Sequence, residues 1–463
     1  MRDPTWCLSW VTIAARALRI GGIAPFHRSP IGRSVVVAAL MAFCSCNPFT
    51  SAPSAQFYIP PDCAGAKLSS ASVVTVSGTV SAGAGNNPSI STATQLSILD
   101  QLVMIVNQLY LYPDFHGIDW PAIASGYRKQ IAAGVSTQAF YADMDGVVTA
   151  LGDKHSSFLS PAQVIQLNAL AAGDSNHVGS GITYLALAGG SLFVVTSVIP
   201  GSPAAHAGLK PHDSILAVNG HPVDENPTLA GPPCSLEVLT VASPGGAPRK
   251  LTIVRDALHG PALIDARLVH TEDGSRIGYI FLPTFVDATI PGQVSLALTN
   301  FGRLDGLILD DRMNPGGSQA VLMETLGYFA SGTLGRFVSR TSAQPFTVVG
   351  SPNAIAQDVP LVVLIGPYTF SAGELFAGIL KDAERARLVG TTTSGTVESL
   401  HTVQFLDGSH VLLAEARFDP AVSHADWGKT GIVPDVEVSA EWNAFTFDTD
   451  PDVAAALKLF GHQ

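Results

Sequence analysis

The chain has 463 residues, 47% of them hydrophobic and 13% charged, ample apolar material for roughly two or three domain cores. A formal net charge of −12 leaves most substrate classes open but argues against nucleic acid, whose phosphates require basic patches.

The first stretch is basic, with Arg2, Arg16, Arg19, Arg28 and Arg33 against a single acid, Asp3. It runs into "SVVVAALMAFCSCNP", a short apolar core closed by small residues. That order reads as a secretory signal over 1–46, and the apolar run is too short for a comfortable membrane span. Phe43-Cys44-Ser45-Cys46 resembles a bacterial lipoprotein cleavage box, with Cys46 as the lipidated residue. Plain signal cleavage and an uncleaved anchor are the alternatives. The expectation is an exported protein, periplasmic or in the outer envelope, with Cys46 as its candidate lipid anchor. The length ahead of His27 leaves room for a start further downstream. Cys63 and Cys234 are then the only cysteines of the body, available to pair in an oxidising compartment. No C-x-x-C or His/Cys cluster suggests a metal.

Residues 47–95 are rich in Ser, Ala, Thr, Gly and Pro and read as a linker. From 96 to 172 apolar residues recur at helical spacing, as in "ATQLSILDQLVMIVNQLYLY" and "TQAFYADMDGVVTALGD". Residues 177–258 turn to short β-type runs, Ile182–Leu187, Leu192–Val198 and Ser214–Val218, with a short helix from Pro203 to Ala207 and a tight turn at Asn219-Gly220. From 266 to 445 strands and helices alternate: "SRIGYIFLP", "PGQVSLALTNFG", "LDGLILDDR", "QAVLMETLGYFA", "VPLVVLIGP", "AGELFAGILKDA", "ARLVGTT". Alternation of this kind implies a mostly parallel sheet covered by helices. A C-terminal helix is expected within 446–463. The fold class is multidomain α/β: an N-terminal helical domain, a small β domain and an α/β core.

Two stretches of the α/β core carry chemistry. In "GLILDDRMNPGG", Gly306 to Gly317, a buried strand ends in carboxylates and a glycine turn. Ligands bind at that edge of open α/β sheets, and glycine lets backbone N–H groups approach them. In "PLVVLIGPYTFSAGELFAGIL" a strand breaks at Gly366-Pro367 and a helix follows Ser371. Ser371-Ala372-Gly373-Glu374 reads equally as an S-x-x-E capping box and as a serine aimed into a cleft by a strand-to-helix corner.

The run "GSGI" followed by "VIPGSPAAHAGLKPHDSILAVNG" resembles a PDZ domain. The resemblance implies capture of a peptide C-terminus by strand addition, with its carboxylate at the backbone of Gly179, Ser180, Gly181 and Ile182. Together with "LGDKHSSFLSP", "GYIFLPTF", "LILDDRMNPGG", "TFSAGELFAGIL", "RARLVGTTTSG" and "GIVPDVEV", the ordered series from Leu96 to Val438 is similar to the tail-specific protease family. The resemblance implies a serine peptidase acting on proteins or peptides with accessible C-termini, without cofactor. It makes Ser371 the nucleophile and assigns the oxyanion hole to the N–H groups of Gly317 and Ala372.

The base is where the chain departs from the better-known branch. That branch uses a lysine in an F-G-K-G run, where this chain has "TTTSGTVES" and Thr396. Lys381 and Lys429 are the remaining lysine candidates. The tricorn core and retinoid-binding-protein-like branch takes a histidine from a G-D-x-H segment, which here is Gly152-Asp153-Lys154-His155. The resemblance therefore implies His155 as general base. That branch also carries an acid after the tryptophan of a W-E-x-x-G-V-x-P-D run. Here that position is Gly428, leaving Glu398, Asp426 and Asp310 as stand-ins. The missing lysine and acid also leave open a catalytically weak or inactive protein of the envelope that binds peptides.

Overall fold

A strand buried on both faces is apolar along its length unless a polar residue is paired, and Leu361–Ile365 and Gly306–Asp310 are buried throughout, with Asp310 paired to Arg312. The computed structural model that contains them describes residues 58–66, 68, 89–172, 177–187, 192–225, 229, 231–258, 260–351 and 358–461. The export segment 1–46, Cys46 and most of the 47–95 linker lie outside the described residues.

Helices α1 (Thr92–Leu109), α2 (Trp120–Ala132) and α3 (Thr137–Thr149) come first. Each is capped by a short polar side chain: Ser91 accepts Thr94 N–H, Asp119 accepts Ala122 N–H, and Ser136 accepts Ala139 N–H. The helical region thus begins at Thr92, inside the expected linker. Strand β1 (Ser157–Leu159) and helix α4 (Pro161–Ala171) follow. The expected self-contained helical domain is not what forms. β1 pairs antiparallel with the distant strand His410–Pro420, and Leu102, Phe140 and Met144 share one core with Phe405, Val411 and Leu413. The amphipathic faces of α1 and α3 are completed by residues nearly 300 positions away, which local periodicity does not report.

The small β domain comprises β2 (His177–Gly179), β3 (Ile182–Leu187), β4 (Leu192–Val198), α5 (Pro203–His206), β5 (Ser214–Val218), β6 (His221–Pro222), β7 (Leu236–Ala242), β8 (Arg249–Val254) and β9 (Asp256–Leu258). The sheet runs β3-β4-β5-β7-β8, with β3 at one edge. Cys63 and Cys234 form a disulfide with Cα atoms 5.2 Å apart. It fastens Tyr58–Ala66, a piece of the expected linker, to this domain, and Tyr58 stacks on His206 at 3.8 Å between ring centroids.

The α/β region adds β10 (Asp265–His270), β11 (Arg276–Phe281), α6 (Ile290–Phe301), β12 (Gly306–Asp310), α7 (Gln319–Leu326), β13 (Gly332–Ser339), β14 (Ala343–Val348), β15 (Leu361–Ile365), α8 (Ala372–Asp382), β16 (Arg387–Gly390), β17 (Ser399–Gln404), β18 (His410–Pro420), α9 (Trp427–Thr430), β19 (Val436–Glu437) and α10 (Pro451–Leu459). Its main sheet is ordered β10-β11-β12-β15-β16-β19. Pairing is parallel from β11 to β19 and antiparallel between β10 and β11. Strand alternation splits the core in two. Leu307, Leu309, Leu361, Val363 and Ile365 face α6, α7 and α8, while Ile308, Val362 and Leu364 join Trp442, Phe445 and α10. A second sheet, β1-β18-β13-β14 with β17 on β18, was not expected. Strands β13 and β14 of this sheet carry Gly332, Gly335 and Pro345, which mask a strand pattern.

The disulfide closes a loop of 171 residues. Cys234→Ser should lower unfolding stability by about 2–4 kcal/mol. Thermal unfolding of oxidised wild type, reduced wild type and variant checks this, and the last two should coincide.

Candidate active site

The turn after β15 is fixed from both sides. Thr369 Oγ1 accepts Gly366 N–H at 3.0 Å and donates to Asp311 O at 2.8 Å, and Phe370 N–H donates to Asn314 O at 2.9 Å. Ser371 then adopts φ 52°, ψ −118°, a strained region for a residue with a Cβ that costs about 1–3 kcal/mol. What holds it is the fully buried carboxylate of Glu374. Its Oε2 accepts Ser371 N–H at 3.2 Å and Thr396 N–H at 2.7 Å. Thr393 Oγ1 and Gly395 N–H donate to Oε1, the latter at 2.7 Å. Glu374 stands where the capping box predicts, and the serine hydroxyl faces His155. Ser371 Oγ lies 3.0 Å from His155 Nε2.

His155 sits in the turn between α3 and β1. Asp153 Oδ1 accepts its N–H at 2.9 Å and also that of Ser156, while Asp153 Oδ2 accepts Tyr110 OH at 2.8 Å. His155 Nδ1 is 3.5 Å from Glu398 Oε2, both side chains about nine-tenths buried. That distance is an ion-pair contact, long for a formed hydrogen bond, as is common before substrate tightens a site. Glu398 Oε1 accepts Tyr112 OH at 2.8 Å. Burial works against the Glu398 charge, but the nearby His155 ring and the hydrogen bond from Tyr112 outweigh it and hold the carboxyl below its usual range. Burial, with the neighbouring Glu398 carboxylate, pushes the Tyr112 hydroxyl up, so Tyr112 stays a donor.

The glycine turn after β12 crosses the mouth of this site. Asn314 Oδ1 accepts Gly316 N–H at 2.9 Å, and Asn314 Nδ2 donates to Asp311 Oδ1 at 2.8 Å. A Cβ on Gly316, at φ 86°, would fall 2.7 Å from Ala372 N; one on Gly317 would fall 2.2 Å from the Phe285 backbone. Both glycines are therefore required by close approach. Phe285 N–H donates to Gly316 O and Ser318 N–H to Phe285 O, which leaves the N–H of Gly317 outside this short ladder. Serine, imidazole, carboxylate and helix-start N–H groups in this order can activate a hydroxyl and stabilise an oxyanion.

Other residues singled out in the sequence fall elsewhere. Lys381 Nζ is bonded to Val433 O at 2.7 Å and paired with Asp435 at 3.1 Å. Lys429 and Asp426 are exposed. Asp310 is buried against Arg312. Thr396, at the expected lysine position, supplies donors to Glu374. A Cβ on Gly428 would lie 3.8 Å from Glu398 Oε1, so Glu398 occupies the space next to the vacated acid position. At the expected peptide-binding loop, Gly179 ends β2 and Ile182 begins β3. Ser180 O accepts Ala204 N–H at 2.8 Å and Gly181 O accepts Ile199 N–H at 2.9 Å, which lock the loop on α5. The sequence reading missed Tyr112, Asn314 and the anchoring role of Glu374. Only the capping-box spacing of Glu374 was a usable signal.

The profile of peptidase family S41 matches residues 276–438, that of a PDZ domain residues 194–229, and that of the tricorn protease C1 domain residues 92–146. The chain is 32% identical over 394 residues to a carboxyl-terminal-processing protease of Synechocystis sp., spanning 81% of this chain and 89% of that one. It is 28% identical over 345 residues to the chloroplastic carboxyl-terminal-processing peptidase 2 of Arabidopsis thaliana, spanning 71% and 66%. The solved photosystem II D1 C-terminal processing protease shares the fold, with TM-score 0.54 and 24% identity over 80% of this chain and 98% of that one. The chain belongs to peptidase family S41, among the carboxyl-terminal-processing proteases, and is a serine peptidase.

Proposed function

We propose that this peptidase is an exported endopeptidase using Ser371, His155 and Glu398 as its catalytic triad. The observation that carries the reading is the 3.0 Å contact of Ser371 Oγ with His155 Nε2, backed by Glu398 at 3.5 Å. His155 Nε2 takes the Ser371 proton as Oγ bonds to the peptide carbonyl carbon. The N–H groups of Gly317 and Ala372 receive the oxyanion. The C–N bond then breaks, the leaving amine takes the proton from His155, and water, deprotonated by the same ring, releases the acyl group. Glu398 steadies the imidazolium, and Tyr112 steadies Glu398. The PDZ-like domain offers the edge of β3, just after Gly179–Ile182, to a substrate C-terminus. Export, periplasmic or outer-envelope residence and a lipid on Cys46 belong to the same reading, and the Cys63–Cys234 bond fits an oxidising compartment. The rival, an inactive peptide binder, was motivated by Thr396 and Gly428. Thr396 donates to Glu374, and Glu398 stands near the position a side chain at 428 would take.

Labelling with a fluorophosphonate probe tests the nucleophile and base. It should vanish in Ser371→Ala and slow by about 10²–10⁴-fold in His155→Ala. Undiminished labelling in Ser371→Ala would overturn the assignment.

The acid has its own test. Glu398→Gln should slow peptide hydrolysis about tenfold or more. Gly428 is not in the left-handed region, so adding Gly428→Glu to that variant should restore much of the rate. Full activity in Glu398→Gln would remove Glu398 from the triad.

A further inference from the structure

Arg312 has no part in the triad, yet it is the most heavily paired cation among the described residues. Its Nε and Nη2 donate to Asp310 at 2.9 and 2.6 Å, Nη2 and Nη1 to Asp450 at 2.6 and 3.1 Å, and Nη1 to Asp452 at 2.8 Å. The guanidinium also lies 5.0 Å from the ring centre of Trp442 and 5.5 Å from that of Phe445. Asp450 and Asp452 belong to the start of α10, so this one side chain ties the C-terminal segment to the end of β12. Two residues on, Asn314 accepts two hydrogen bonds that shape the glycine turn, from Phe370 N–H at its carbonyl and from Gly316 N–H at its Oδ1.

The same C-terminal segment grips the PDZ-like domain. Trp442 Nε1 donates to Val195 O at 3.0 Å, and Trp442 O accepts from His212 Nδ1 at 2.7 Å. The rings of Trp442 and His212 stack at 4.2 Å. Asn443 Nδ2 donates to Ser214 Oγ at 3.1 Å. A continuous chain of buried contacts therefore runs from β4 and the loop before β5, through Trp442, to Arg312 and the glycine turn.

We propose that Arg312 and Trp442 are positioning residues. The strap Trp442–Asp452 sets the glycine turn that presents Gly317 N–H, and it ties that setting to the seating of the PDZ-like domain. The inference rests on the oxyanion-hole reading above. Uniquely aimed donors are needed for it: an off-line guanidinium shifts the end of β12, and a displacement of an ångström in an oxyanion donor costs about 10²-fold in rate. Neither residue lies on the open edge of β3, so the main effect of their loss falls on turnover.

The test uses the full chain with Trp442→Phe and Arg312→Lys. Each keeps most of the volume or the charge while removing the indole donor or the guanidinium fork. Circular dichroism and thermal unfolding first establish that both are folded. The expected result is a fall in kcat of about tenfold or more with KM for a peptide substrate unchanged. Hydrogen exchange should rise at the amides of 313–318 without a rise across α8. Wild-type kcat in both folded variants overturns the proposal, as does a rate loss accompanied by uniform exchange through the chain. Should Arg312→Lys not fold, Trp442→Phe with Asn443→Ala gives the same two readouts. Failure of the underlying site reading is separately visible, because Ser371→Ala would then retain activity.

Discussion

The carboxylate of Glu374 is the contact on which the active-site region depends. It is fully buried and receives donors from Ser371, Thr393, Gly395 and Thr396. A carboxyl group so placed is tolerable only because its oxygens are satisfied, and its donors would be costly to leave unpaired. The same bonds hold Ser371 at a positive φ that the residue would otherwise leave. First turn of α8, strained serine and loop 393–396 are therefore one mechanical unit. Glu398 follows that loop by two residues, so the anchor that tilts the nucleophile also delivers the acid. Thr396 in place of a lysine makes sense here: a hydroxyl donor serves Glu374 without adding a cation beside the imidazole that faces Ser371.

The second sheet is the ruler that brings the histidine to the serine. Ala414 of β18 accepts Leu111 N–H at 2.9 Å and donates its own N–H to Ser156 Oγ at 3.0 Å. Tyr112 and His155 are the immediate neighbours of those two partners. One backbone position thus fixes both the residue that touches the nucleophile and the residue that steadies Glu398. β17, paired along the other side of β18, starts at Ser399 and sets the height of Glu398. The distance from Nδ1 to the carboxylate is consequently a property of sheet register, which slips in steps too large to be tuned continuously.

That dependence explains what the amino-acid sequence discloses and what it hides. Strands such as Leu361–Ile365 and helices such as Ala372–Asp382 are legible because their apolar spacing is set by local burial. Ser371, Gly317 and His155 are reached only through the resemblance of their short motifs to a family, since the residues alone read as readily as a helix cap and two turns. The pairing of β1 with β18 is not, since its partners lie some 250 residues apart and β1 is only three residues long. Glu398 could be named as one of three acids but not chosen, because the choice depends on that register. Tyr112 and Asn314 gave no signal at all: a tyrosine in an apolar helix end and an asparagine before proline have ordinary reasons to be there.

A glycine at 428 beside Glu398 makes sense electrostatically. A side chain from either position reaches the same side of His155, since a Cβ at Gly428 would stand 3.8 Å from Glu398 Oε1. Glutamates at both would set two carboxylates side by side in a largely buried pocket, where one must take up a proton. A protonated neighbour would compete with Tyr112 and His155 for the oxygens of the other. Glycine at 428 removes that conflict and leaves Glu398 anionic, with its carboxyl held below the usual range. The requirement being met is a single negative charge behind the imidazole, and it is indifferent to which strand or turn supplies it.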